Sequence, residues 1–204
     1  MLENKLGITN FLDLVHEEER ITKLKALELF DTNKIDEFEI GTFKGLACIH
    51  KYLFDDIYSF AGKIRKENIA KGNFRFASCM YLEDVLHKLD SMSQDTFDNI
   101  IKKYVEMNIA HPFREGNGRS IRIWLNLILR KKLNKVIDWS KVNKEDYLLA
   151  MERSPVKDLE IRLLLQNALT DKINDRQVFM KGIDSSYEYE GYNAYPIFEL
   201  DNNS

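Results

Sequence analysis

Two amphipathic stretches, residues 96–110 and 117–132, meet at a short break that opens with His111-Pro112 and closes on Gly116. In the first stretch Phe97, Ile100, Ile101, Tyr104, Val105 and Ile109 recur at three- and four-residue steps, and in the second Ile121, Trp124, Leu125, Ile128 and Leu129 do the same. Pro112 has no N–H to donate and disfavours helical backbone at the residue before it, so the first helix stops there. The second stretch ends in Arg130-Lys131-Lys132, cations that suit a helix C-terminus. The chain must therefore house a helix, a tight polar turn and a second helix. With only 9 glycines and 3 prolines in 204 residues, a largely helical fold is the general expectation.

The break also carries most of the chemistry, reading HPFREGNGRSIR from His111 to Arg122. A glycine-rich loop feeding a helix presents unpaired backbone N–H groups and the positive end of the helix dipole, which together make a phosphate site. Arg119 in the first turn and Arg122 three residues later lie near one face and can grip phosphate oxygens bidentately. His111 is the one histidine of four beside such a loop, and imidazole is the usual proton acceptor near neutral pH. Glu115 can hold a Mg²⁺ that also touches the phosphates, since that ion prefers one or two carboxylates plus phosphate oxygens. Phe113, apolar within a polar run, is expected to turn inward and anchor the loop. Base, metal carboxylate, anion nest and paired arginines point to nucleotidyl or phosphoryl transfer to a hydroxyl. The residue types leave both open.

The rest of the chain reads as one soluble, cytoplasmic unit. Apolar content of 44% and charge of 31% are ordinary for a globular protein, and a net charge of −3 with no basic run gives nucleic acid no electrostatic grip. Cys48 and Cys79 lack metal-type spacing and read as reduced thiols, and no apolar run suggests a leader or a membrane span. A first helix is expected over residues 10–30, with Phe11, Leu14, Val15, Ile21, Leu24, Leu27 and Phe30 as its apolar stripe, a face that can also serve self-association into a homo-oligomer. Its run His16-Glu17-Glu18-Glu19-Arg20 reads as solvated. A second helix begins near Thr42 and includes His50 as a core histidine. Residues 63–67 and 73–76 alternate like two short strands of a hairpin, with Lys71 in its Lys-Gly turn as a candidate phosphate contact. Helices are expected over 80–92 and from an Asn143 cap, and another opens at Ser154-Pro155. Asn108, just before the histidine, is a candidate for the nucleotide pocket.

Near the C-terminus a helix is expected to end at Gly182. There follows a short one capped by Ser186, with Glu190 on the same face and Gly191 as its stop. Tyr187 stands beside the cap, and Asn193 three residues beyond Glu190.

HPFREGNGRSIR matches the Fic motif at every defining position: His, any residue, Phe, any, Asp or Glu, Gly-Asn-Gly-Arg, two of any, Arg. Ser186, Glu190 and Asn193 likewise resemble the inhibitory segment of small bacterial Fic proteins that carry it at the C-terminus. The resemblance implies an all-α Fic-type bundle with a β-hairpin flap: one domain over 1–204, its core at about 38–170, its flap at about 63–77 and its inhibitory segment at about 184–193. It further implies a protein adenylyltransferase that moves AMP from ATP to a Tyr, Thr or Ser hydroxyl of a target protein. His111 would be the base, Gly116, Asn117, Gly118, Arg119 and Arg122 would hold the nucleotide, and Glu115 would carry Mg²⁺ or Mn²⁺. Glu190 would restrain the reaction and, as in some members, serve removal of AMP, with Tyr187 as a candidate self-modification site. The intact GNGR loop favours AMP over other transferred groups. A regulatory binding module with a permanently blocked site is the competing reading, and it has no need of His111.

Overall fold

A computed structural model describes residues 2–72 and 74–201. Expected helix starts are fixed by their caps. Asn10 accepts from the Leu12 and Asp13 N–H groups at the head of α1 (Phe11–Asp31), and Thr42 accepts from Gly45 at the head of α2 (Phe43–Phe54). Thr96 does the same for α4 (Phe97–Ala110) and Asn143 for α6 (Lys144–Arg153). Each such cap contributes about 1 kcal/mol. Between α2 and α4 lie β1 (Ala70–Lys71), β2 (Phe74–Arg75) and α3 (Leu82–Ser91).

The helix after the motif, α5 (Asn117–Leu133), is the axis of the bundle. Eleven of its 17 residues are buried, so it is surrounded rather than laid on a surface. Trp124, Leu125 and Ile128 have no exposed surface, and α2 and α4 pack along it, with Leu46, Ile49, Phe54, Ile101 and Tyr104 buried in the same core. After α6 come α7 (Leu159–Asn167), α8 (Arg176–Glu188) and α9 (Ile197–Asp201). Among the described residues no helix is long and apolar enough to cross a membrane.

Three expectations about the elements need correction, and one element was not anticipated. The hairpin pairs Ala70 with Arg75 and Lys71 with Phe74, so residues 63–67 are not its first strand, and Asn73 lies outside the described residues. The side chain of Arg65 goes into the protein instead. A second antiparallel ribbon, β3 (Val136–Ile137) with β4 (Leu169–Thr170), had no clear alternating signal. Ser154 ends α6 rather than opening a helix, and α7 starts after Asp158. Lastly, α8 passes straight through Gly182. Glycine costs a helix interior about 1 kcal/mol, but here a Cβ would lie 3.1 Å from Trp139 Cδ1. Close packing, not termination, is the use of that glycine.

Candidate active site

The site is the junction of α4 with α5. His111 caps α4 in the left-handed region (φ 48°), uncommon for a residue with a Cβ. Its peptide is held from outside: Arg65 Nε donates to the His111 carbonyl at 2.8 Å, and the Arg65 N–H donates to Pro112 O at 2.8 Å. Phe76, just after β2, stacks on the imidazole with centroids 3.7 Å apart. Nδ1 lies 3.2 Å from the Asn108 carbonyl, which can only accept. Nδ1 therefore carries the proton and Nε2 keeps its lone pair. Burial, opposed by the Asn108 hydrogen bond and Glu190 but helped by Arg65 and Lys71, lowers the His111 pKa to about 4. The ring is a neutral base at physiological pH.

Phe113 turns inward as expected. It is fully buried and stacks on His50, centroids 3.8 Å apart. His50 is a satisfied core histidine: Nε2 meets Glu115 O at 2.8 Å while Nδ1 accepts from the Gly62 N–H. Asn117 brackets Phe113, accepting from its N–H and donating to its carbonyl, both at 2.8 Å. Its amide is thus spent on shaping the loop. Gly116 has φ 72° and lies so close to the Phe54 ring that any Cβ would collide with it.

Both arginines of the first turn of α5 meet Glu190. Arg122 Nη2 donates to Glu190 Oε1 at 3.0 Å, and Arg119 Nε lies 2.8 Å from Oε2, an ion contact whose N–H is not well aimed. Arg122 also donates to Ser186 Oγ at 2.6 Å and to Ser186 O at 2.8 Å. A side chain at Gly118 would collide with the Glu190 carboxylate, so the glycine lets that anion settle against the helix end. Burial alone would raise the Glu190 carboxyl, but Arg119 and Arg122 outweigh it and hold the pKa below the usual carboxylate range.

Arg119 sits deeper than a simple phosphate clamp would. Its Nη1 reaches Glu18 Oε1 at 2.5 Å and its Nη2 reaches Glu115 Oε1 at 3.1 Å. Glu18, only 2% exposed, also accepts from the Tyr58 hydroxyl, and Glu19 is fully buried. At Glu18 and Glu19 the charge run of α1 is therefore not solvated. Glu19 pairs with Lys23 at 3.0 Å and accepts from the Ala194 and Tyr195 N–H groups, while Lys23 reaches Asp184 and the Tyr195 carbonyl, each at 2.8 Å. His16 is exposed, as is Phe11. Tyr187 is buried, its hydroxyl donating to Thr22 on α1, so any modification of it requires α8 to lift away. Asn193 is exposed. Lys71 is exposed on β1, near enough for its charge to act on both His111 and Glu190. Ser186 lies inside α8 rather than capping a separate helix. Local pattern missed Arg65, Glu18 and Phe76 as parts of the site. Only the bulky Phe74-Arg75-Phe76 texture hinted at the last.

Glu115 fits a role in holding a hard cation. Its Oε1 is engaged by the Gly116 N–H at 2.9 Å and by Arg119, Oε2 takes part in neither contact, and the side chain is 37% exposed. Among the described residues no three His, Cys, Asp or Glu side chains gather into a metal site. Glu115 would need phosphate oxygens and water to complete octahedral coordination, as Mg²⁺ prefers.

An anion site at the head of a central helix, faced by a neutral imidazole across a glycine turn, defines the class: an α-helical bundle with an anion-binding helix end. The chain belongs to the Fic/DOC family, whose model matches residues 42–129. It is 30% identical to the probable protein adenylyltransferase y4lH of Sinorhizobium fredii, over 63% of this chain and 81% of that one. It is 29% identical to the protein adenylyltransferase VbhT of Bartonella schoenbuchensis over 95% of this chain, which spans 44% of the length of that relative. In fold it resembles the BepC protein of Bartonella tribocorum, solved with bound AMPPNP, with a TM-score of 0.69 at 20% identity over 83% of this chain and 92% of that one.

Proposed function

We propose that the protein transfers AMP from ATP to a Tyr, Thr or Ser hydroxyl of target proteins, and that Glu190 restrains it. The observation that carries this reading is the carboxylate of Glu190 seated on Arg119 and Arg122 at the head of α5. The protein's own anion occupies the place where helix dipole, glycines and guanidinium groups favour phosphate.

With Glu190 withdrawn, the triphosphate lies along Gly116, Asn117 and Gly118, using backbone N–H groups and the freed Arg122. Asn108, whose amide donates to the Tyr104 carbonyl at 2.8 Å, would line the nucleotide pocket. Mg²⁺ on Glu115 would neutralise charge on the phosphates. The target segment aligns along the flap, 63–77, where Lys71 adds positive charge. The target hydroxyl gives its proton to His111 Nε2 as its oxygen bonds to the α-phosphorus. The bond from that phosphorus to the bridging oxygen breaks, and pyrophosphate leaves with the electron pair.

With Glu190 in place, Arg122 is occupied and the carboxylate repels the γ-phosphate, so ATP is aimed wrongly. Small misplacements of reacting atoms cost on the order of 10²-fold in rate. The segment 184–193 is thus an internal inhibitor, and the same carboxylate is suited to orient water for removal of AMP. Tyr187, once exposed by lifting of α8, is the candidate for self-modification that keeps the segment from re-docking.

The test uses ATP labelled at the α-phosphate with the parent, Glu190→Gly, and Glu190→Gly with His111→Ala. Labelling of the protein and of a bacterial lysate is expected in the single variant alone. No label in any form with Mg²⁺ present would overturn AMP transfer, and label at the γ-phosphate instead would assign a phosphoryl transferase.

A further inference from the structure

Alternation places Arg65 on a strand of the hairpin, yet it is only 4% exposed and lies outside the strands. Among the described residues its guanidinium bonds to four main-chain carbonyls and to no carboxylate: His111 O at 2.8 Å, Ala110 O at 3.2 Å, Glu67 O at 2.6 Å and Ala77 O. Its own N–H adds Pro112 O at 2.8 Å. Burying a cation against carbonyl dipoles alone is costly, so the arrangement depends on how many acceptors one planar fork can span. The set of acceptors is informative. Glu67 and Ala77 stand on the two legs of the flap, while Ala110, His111 and Pro112 form the turn that carries the imidazole. Ala110 and His111 also end α4, where the helix dipole favours a cation.

We propose that Arg65 is a positioning residue for His111, tying both legs of the flap to the peptide planes on either side of the imidazole. The inference rests on the reading of His111 as the base. The left-handed backbone at His111 persists because its surroundings over-determine it, and Arg65 supplies the largest share of those contacts. The Ala77 N–H donating to Ile109 O at 3.0 Å and the Phe76 ring on the imidazole run in parallel with it. A target segment pressing on the flap is therefore felt at the His111 ring through a few rigid peptides. Lysine cannot replace this residue, because one ammonium group is a compact point charge that cannot bridge both flap legs and the turn together.

The experiment is run in the Glu190→Gly background with Arg65→Met and Arg65→Lys. It measures AMP transfer, ATP affinity, melting temperature, and the ¹⁵N resonances of the His111 ring in the full chain. Arg65→Met is expected to lower turnover on the order of 10²-fold, as loss of near-attack geometry does, with ATP affinity held within about twofold. The ring resonances should shift from one Nδ1–H tautomer toward a mixture. Arg65→Lys is expected to fold, to keep ATP affinity and to recover only part of the turnover, so it carries the test if Arg65→Met does not fold. Turnover within about threefold of the background, unchanged ring resonances, or a loss matched by equal loss of ATP affinity would overturn the positioning role. Retained transfer in the companion His111→Ala variant would instead remove the base reading beneath it.

Discussion

The two ends of the motif loop are held by different physics. The His111 end is uncharged at its centre: a neutral imidazole gripped through peptide carbonyls, with Phe76 on its face and Arg65 behind it. The α5 end is ionic, with Arg119 and Arg122 set among Glu18, Glu115 and Glu190. Hydrogen bonds to carbonyls fix direction, and their partners cannot leave without unfolding the chain. A carboxylate on a guanidinium can be exchanged for another anion of similar geometry. In the proposed function one end therefore serves accuracy and the other substitution. Within the ionic end the three carboxylates also differ. Glu18 is buried on α1 and ties Arg119 from behind, whereas Glu190 arrives from the tail.

The sharpest way to break this contrast is at the base. In the Glu190→Gly background, His111→Ala should lower AMP transfer on the order of 10²–10⁴-fold. Its melting temperature should stay within a few degrees; transfer that survives would move the chemistry away from that end. Next comes Glu18→Gln, which leaves Arg119 short of its buried partner and should cost about 3–5 kcal/mol in urea unfolding. A cost under about 1 kcal/mol would mean that Arg119 is not anchored from behind.

Acid should separate the ends by pH window. His50 and His111 stay neutral in the fold down to about 3 and about 4, while in the unfolded chain they take up protons near 6.5. Between those values the unfolded state binds more protons, so stability falls as pH drops from about 6.5, by at most about 1.4 kcal/mol per pH unit for each imidazole. Glu190 works lower. Its lowered pKa contributes stability that is complete above the unfolded carboxylate value of about 4.3 and is lost as pH falls through the folded value. Urea midpoints from pH 7 to 3 should show His111→Asn flattening only the upper window and Glu190→Gln only the lower. The smallest effect belongs to Lys71→Met. Its exposed charge acts on His111, so in the Glu190→Gly background transfer should drop by about twofold at low ionic strength and match that background in concentrated salt.

The motif, the helix starts near Asn10, Thr42 and Thr96, the Asn143 cap, and the inward turn of Phe113 were all legible in the sequence, because each rests on residues within a few positions of one another. Burial of Glu18 and Glu19 was not legible. Five charged or polar residues in a row look solvated until Arg119, Lys23 and the 194–195 backbone arrive from distant segments. Gly182 misled for the same reason, since its use lies in Trp139 and not in its neighbours along α8. Arg65 shows the limit most plainly. Alternation places it on a strand, and the carbonyls that hold it inside come in part from the return of the chain at 110–112.

The clamp between α1 and the tail spans the chain: Lys23 and Glu19 meet Asp184, Ala194 and Tyr195 across 161 to 176 residues. During synthesis from the N-terminus these are among the last contacts to form, long after α4, the turn and α5 have emerged. Glu190 itself trails Arg122 by 68 residues. Each newly made molecule thus passes through an interval in which α5 has been synthesised and its arginines have no tail carboxylate to hold. The length of that interval is set by translation and not by any ligand.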